Sequence, residues 1–218
     1  MSVSSGAVRD KHSLEEASFR EYRPSDRPRC VEITASAWPE LIRSRLGLTT
    51  VEWYEGSATW KEIAYISDTA VGLLFGKIDS DLTALGRLRM FLTHVMVYLK
   101  LLFGLYGKVP HRLTFIKNGM SDDRNIRANS PQVDGEIAFF VIDAAYRCRG
   151  IGKQLMGRFI DDAKKKGAKR ISVFTTDPGS SWGFYEKYGF RKYSSFRESF
   201  LSFARKEEVT AIIYVLDV

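Results

Sequence analysis

The residues Arg147-Cys148-Arg149-Gly150-Ile151-Gly152 lie between a strand-like run, GEIAFFVI (Gly135 to Ile142), and an amphipathic helical stretch, IGKQLMGRFIDDAKKKG. The pattern is a basic residue, two others, then Gly-x-Gly at the mouth of a helix. Glycine lets the backbone approach a ligand closely, and the first amides of a helix lack intrahelical partners and sit at the positive end of its dipole. This is chemistry for a compact anion such as a pyrophosphate, with a purely structural turn as the alternative. The spacing is neither the GxGxxG of a dinucleotide fold nor the Gly-Lys-Ser/Thr of a P-loop.

The charge balance points to the same place. The chain carries a net charge of +7, and the window from Ala144 to Arg170 alone accounts for it, with nine basic residues against Asp161 and Asp162. Charge gathered around one turn suits a small polyanion better than a duplex, and no nucleic-acid motif accompanies it. Lys164, Lys165 and Lys166 read as the solvated end of the helix, where cations favour the negative dipole terminus. Cys30 and Cys148 form no disulfide framework, and His12, His94 and His111 are widely separated, so no metal site is expected. Neither cysteine sits beside a base in the sequence pattern, which disfavours an acyl-cysteine intermediate. The leading residues MSVSSGAVRDKHSLEEAS lack the apolar core of a secretory signal, and with two lone cysteines this predicts a cytoplasmic protein.

The elements that must hold the turn can be read from periodicity. A chain of 218 residues, 44% hydrophobic and 13% aromatic, can bury a core as one domain carrying an insertion. Residues 1–17 read as a flexible tail. SFREYR (Ser18 to Arg23) alternates like an edge strand, Pro24-Ser25-Asp26 opens a helix towards Trp38, and LIRSRLG (Leu41 to Gly47) reads as a helical piece ended by its glycine. EIAYI (Glu62 to Ile66) and AVGLLFGKI (Ala70 to Ile78) form a hairpin. Residues 82–107 follow, with Leu85, Leu88, Leu92, Val95, Met96, Leu99, Leu102 and Phe103 at helical spacings. Their longest uncharged run is the ten residues Met90 to Leu99, against the ~20 needed to cross a bilayer, so no transmembrane segment is expected. Packing on the domain's own core, a subunit or acceptor-site contact, and a membrane surface are the three readings of this stripe, in that order of preference. Residues 108–134 look like polar loop. Beyond the turn and its helix, RISVFTT (Arg170 to Thr176) completes a β-α-β unit, SSWGFYEKYG (Ser180 to Gly189) is a short helix, and FRKY and VTAIIYVLDV (Val209 to Val218) are strands flanking the aromatic SSFRESFLSF.

The glycine turn, followed by FYEKYGF (Phe184 to Phe190), resembles the GNAT superfamily of acyl-CoA-dependent N-acetyltransferases, strongly from Gly135 to Tyr193 and in element order elsewhere. Two departures stand out, the long segment at about 79–134 and Pro178, where many members carry asparagine. The resemblance implies an α/β (α+β mixed) fold: a twisted, splayed mixed sheet flanked by helices, as one domain over 18–218 with a helical insertion at about 79–134 before the central strand. It implies acetyl-CoA as acyl donor, with the backbone of Phe140, Val141 and Ile142 pairing with the pantetheine arm. Arg147 and the amides of Cys148, Arg149, Gly150, Ile151, Gly152 and Lys153 would hold the pyrophosphate. Tyr185 matches the tyrosine that protonates the departing thiolate, with Tyr188 as the structural alternate, and Glu136 matches a carboxylate that takes the amine proton; each could instead be a core or strand-end residue. The implied reaction is direct transfer of an acetyl group to a primary amine in a ternary complex, with the acceptor unnamed, no nucleic-acid partner, and a homodimer left open. A non-catalytic acyl-CoA sensor and a transferase for longer acyl-CoA are the alternatives within this fold.

Overall fold

The computed structural model describes residues 16–43, 45–178 and 180–218. The tail expected over 1–17 lies, up to residue 15, outside the described residues. Seven strands form one sheet: β1 (Ser18–Glu21), β2 (Trp60–Ile66), β3 (Thr69–Ile78), β4 (Gly135–Ile142), β5 (Arg170–Asp177), β6 (Arg191–Glu198) and β7 (Val209–Asp217), in the order β1-β2-β3-β4-β5-β7-β6. Every neighbouring pair is antiparallel except β4 and β5, which run parallel. That one parallel pair needs a crossover, and α6 (Ile151–Lys165) supplies it.

The crossover helix forms as its pattern predicts. Ile151, Leu155, Met156, Phe159, Ile160 and Ala163 are buried, and Gly167, at a φ of 84°, ends the helix where a side chain would be strained. This face packs with Leu74, Ile137 and Tyr185 on one side of the sheet. On the other side, α1 (Arg27–Ala37) and α3 (Gly47–Ser57) cover Leu73, Phe75, Phe139 and Val141 with Cys30, Ile33 and Val51. Ile137 and Phe139 serve opposite faces because the β3–β4 register jumps from Phe75↔Phe139 to Gly76↔Ile137, leaving Ala138 as an extra residue.

The structure corrects the sequence reading in four places. Residues 108–134 are not loop: α5 (Arg112–Asn129) fills most of the segment, and its few apolar residues hid its period. Phe115 and Asp122 are its buried residues, and Phe115 packs on Phe200 at 5.1 Å between ring centroids. The aromatic segment after FRKY divides, with β6 continuing to Glu198 and α8 (Ser199–Arg205) following directly. Gly47 does not close a helix that begins at Leu41; α2 (Pro39–Arg43) ends earlier and Gly47 opens α3. Finally, α4 (Ala84–Leu102) buries Val97 and Leu101, while the apolar stripe foreseen as core faces outwards. The domain engages the opposite side of α4, where Trp53 stacks on His94 at 3.8 Å and the His94 ring bonds Ser57.

Gly76 tests the packing between sheet and crossover helix. A Cβ there would stand 2.2 Å from Cε2 of Phe159, a fully buried ring. Gly76→Ala should destabilise the fold by about 1–3 kcal/mol, the usual cost of overpacking, measured by urea unfolding. An unchanged midpoint would mean that the ring has room to retreat.

Candidate functional site

Strands β4 and β5 pair over only three positions, Gly135↔Ile171, Glu136↔Ser172 and Ile137↔Val173. Beyond them the strands part: β4 runs on to Ile142, while β5 keeps its full ladder with β7 out to Asp177↔Thr210. A cavity of about 580 Å³ occupies the opening, and residues from both faces of the sheet line it. Its walls include the β4 backbone stretch Ala138–Ile142, Val173 to Thr176 of β5, and Phe184 and Tyr185 of α7 (Trp182–Tyr188).

The glycine turn reaches the same cavity through Arg147, Cys148, Gly150, Ile151, Gly152 and Lys153. Cys148 and Gly150 hold positive φ values of 61° and 79°, so the chain coils tightly into the helix start. The first amide to bond back into α6 is that of Gln154, to the Gly150 carbonyl at 3.1 Å, which leaves the preceding turn the unpaired amides normal at a helix start. Room is kept where phosphate oxygens would need it: a Cβ on Gly150 would meet nothing within 4 Å, whereas one on Gly152 would press on Phe140 at 3.1 Å. Arg147 is braced by its Nε–H, which donates to the Ile142 carbonyl at 3.1 Å. Arg149 does not line the cavity; its guanidinium lies over the Tyr146 ring at 5.1 Å.

The two residues expected to do proton chemistry separate. Tyr185 is buried, lines the cavity and packs against Phe184, Phe190 and Tyr214. Burial raises its phenol pKa well above the ordinary value, so it holds its proton and can act as an acid. Glu136 does not line the cavity. Its carboxylate receives a hydrogen bond from Lys77 Nζ at 3.1 Å, a strand-edge ion pair.

The sequence reading missed the carboxyl groups that do face the cavity. Asp122 and Asp123 of α5 and Glu198 at the end of β6 line it, together with Trp38, Trp53, Tyr54, Tyr98 and Phe200. Asp122 accepts from the Ser199 and Phe200 amides at 2.9 and 2.8 Å, and Glu198 accepts from the Leu201 amide at 2.6 Å, so both carboxyls hold the start of α8. Burial first, then the neighbouring Asp122, pushes the Glu198 carboxyl up to about 8. Burial also raises Asp123, beside the Tyr98 hydroxyl at 3.4 Å. Asp122 and Asp123 are hidden in a segment that looks like loop, and Glu198 in an aromatic stretch whose division into β6 and α8 has no local signal. The only available signal was Asp122-Asp123 in a segment otherwise dominated by basic residues.

The other candidates stay apart. Cys30 is buried in α1, where desolvation drives its thiol up to about 12, and Cys148 is exposed on the turn. His94 is driven down to about 4 by burial and is a packing residue. Among the described residues no group of three His, Cys, Asp or Glu is placed to hold a metal.

Comparison with known proteins agrees with this geometry. The model of the acetyltransferase (GNAT) family matches residues 118–190, which take in most of α5 with Asp122 and Asp123, the central strand, the glycine turn and Tyr185. The match covers about a third of the chain and supports a GNAT-type acetyltransferase domain there. No curated protein matches it by sequence. Among solved structures, the ribosomal-protein-S18-alanine N-acetyltransferase of Escherichia coli superposes with a TM-score of 0.56 at 12% identity, covering 93% of this chain and 94% of that one. PaiA N-acetyltransferase from Thermoplasma acidophilum, solved with coenzyme A, gives 0.53 at 14% identity over 93% of this chain and 99% of its own. An N-acetyltransferase from Staphylococcus aureus gives 0.52 at 14% identity, with 93% and 98% covered. At these identities the likeness is one of fold. The chain shares its mixed α/β fold with these acetyltransferases over 93% of its length.

Glu198 gives the domain a pH signature. Unfolded, it titrates near its ordinary 4.5; folded, it keeps its proton to about 8. Across that window the native state binds more protons than the unfolded chain, so this group's contribution to stability falls as pH rises. Glu198→Gln should flatten the fall in urea midpoint between about pH 5 and about pH 8, since the neutral amide carries no such cost. An identical slope in the variant would assign the effect to another group.

Proposed function

We propose that the protein transfers an acetyl group from acetyl-CoA to a primary amine by direct attack within a ternary complex. The observation that carries this reading is the single cavity, which joins the glycine turn and Tyr185 to an aromatic wall bearing Asp122, Asp123 and Glu198. The unpaired edge of β4 from Ala138 onwards offers backbone groups to an extended amide-bearing arm, and buried backbone groups of that kind need partners. Phe140, Val141 and Ile142 lie on that edge. The turn adds amides from Cys148 to Lys153 and the Arg147 guanidinium for a diphosphate, as the positive end of α6 favours.

In this reading the acidic wall receives the acceptor as an ammonium ion and takes its proton. A carboxyl that titrates near neutrality is matched to that task, which favours Glu198, at about 8. Asp123, raised by burial, lines the same cavity, whereas Glu136 does not. The freed amine nitrogen attacks the thioester carbonyl carbon, a backbone N–H of the open strand stabilises the oxyanion, and the carbon–sulfur bond breaks. Tyr185 donates its proton to the departing thiolate. No acyl-enzyme is required, in keeping with the two isolated cysteines. The aromatic surround of Trp38, Trp53, Tyr54 and Tyr98 suits an acceptor that carries its cation on an apolar body.

A panel of primary amines with acetyl-CoA, followed by free-thiol release, tests the reading. Turnover with cationic amines supports it; cofactor binding without turnover for any amine would leave a sensor in its place. Tyr185→Phe should slow turnover by about 10- to 1,000-fold with acetyl-CoA affinity nearly unchanged, since the ring packing survives. Equal rates with chemistry limiting would return Tyr185 to the core.

Binding at the turn is tested separately. Gly150→Asp has open space for its side chain, at the cost of about 1–2 kcal/mol for a left-handed non-glycine residue. The folded variant should lose acetyl-CoA binding by calorimetry. Wild-type affinity would move the diphosphate away from this turn.

A further inference from the structure

The apolar stripe of α4 has no partner in the domain. At 100° per residue, Leu85, Leu88, Leu92, Met96 and Leu99 lie along one side of the helix, opposite the buried Val97 and Leu101. Leu85 is 76% exposed and Phe91 63%, and Phe103 and Leu105 continue the surface past the helix end at 73% each. The helix is thus built in reverse of an ordinary surface helix, with its mixed face on the protein and its leucine face outwards. Isolated apolar side chains on a surface need no explanation, but a continuous stripe does.

The charge around the stripe selects its partner. From Leu82 to Ser121 the chain has no Asp or Glu, while Arg87, Arg89, Lys100, Lys108, Arg112 and Lys117 are all basic. Arg87 and Arg89 at the start of the helix, and Lys108 and Arg112 beyond its end, are exposed. Acids close to the helix are engaged on its inner side or ends: Glu52 by Lys100 at 3.1 Å and by Arg27 at 3.6 Å, Asp81 by Lys166 at 2.8 Å, and Asp123 by the Tyr98 hydroxyl at 3.4 Å. A second copy laid on this face would bring cations against cations. Residues 1–15 contain no apolar run with which to cover it. No helix among the described residues is long and apolar enough to cross a membrane.

We propose that α4 is an in-plane anchor that docks the domain on an anionic lipid surface, with its leucine and phenylalanine side chains among the acyl chains and its flanking arginines and lysines at the headgroups. Apolar burial and attraction to anionic lipid act together in such helices. The inner side of α4 lends Val97, Tyr98 and Leu101 to the cavity wall, so the lipid surface would lie about one helix diameter, ~10 Å, from the site. The inference goes beyond the transfer reaction and does not depend on it.

The test is co-sedimentation of the full chain with vesicles of phosphatidylcholine containing phosphatidylglycerol, against vesicles of phosphatidylcholine alone. The anionic vesicles should bind at least about tenfold more tightly, and added salt should weaken them. Phe91→Ser, Leu92→Ser and Met96→Ser together should abolish binding while leaving the melting temperature unchanged, because all three side chains are exposed. Arg87→Gln with Arg89→Gln, which leaves the stripe intact, should remove the preference for anionic lipid. Failure of the wild type to bind anionic vesicles overturns the proposal. So does sedimentation as a dimer that the triple substitution disperses with no vesicle binding, which would give the stripe to a second copy. Equal binding to both vesicle types, unchanged in either variant, also overturns it.

Discussion

The parting of β4 from β5 is the constraint on which the rest of the structure depends. Two parallel strands joined by a crossover helix would ordinarily pair along their length, yet here the ladder stops after Ile137↔Val173. β5 remains satisfied because β7 pairs with it from Arg170 to Asp177. β4 keeps its antiparallel ladder with β3 as far as Gly72↔Ile142, but the extra residue at Ala138 turns the strand where the opening begins. One edge of a central strand is thereby left open, at the heart of the sheet rather than at its rim. Buried backbone polar groups are costly without partners, which is why the proposed function places an extended arm of the donor along this edge.

Two kinds of charge meet at this opening. The turn after β4 gathers Arg147 and Lys153 with the positive end of α6, while the opposite wall gathers Asp122, Asp123 and Glu198 among aromatic rings. The acids are kept in place by the backbone they support: Asp122 and Glu198 cap α8. A buried ion pair, Arg205 Nε to Glu40 at 2.6 Å, ties α8 to α2. The cost of burying these carboxyls appears in the raised pKa of Glu198 rather than in lost hydrogen bonds.

The helices inserted between β3 and β4 work on two sides. Towards the domain, Tyr98, Phe115 and Asp122 line the cavity. Away from it, the leucine face of α4 remains uncovered.

The sequence by itself determined the elements whose pattern is local. The Gly-x-Gly turn, the apolar face of α6 and its closing Gly167 follow from spacing and backbone freedom, and together they fix a strand–turn–helix unit that concentrates positive charge. The short helix bearing Tyr185 was legible from its own boundaries, Ser181 at the start and Gly189 at the end, whereas Tyr185 was singled out only by the family resemblance. Tertiary structure decided what depends on partners distant in the chain. Helix α5 gains its stability from contacts such as Phe115 on Phe200, which no local period reveals, and its acids reach the cavity only because α8 docks on them. Glu136 was drawn away by Lys77 across the strand pair, a register that only the folded sheet sets. For α4, periodicity showed that one face is apolar but not which way it points. That orientation is fixed by the Trp53–His94 stack and by Val97 and Leu101 on the opposite side, because a helix turns to the neighbours it finds and not to the pattern it carries.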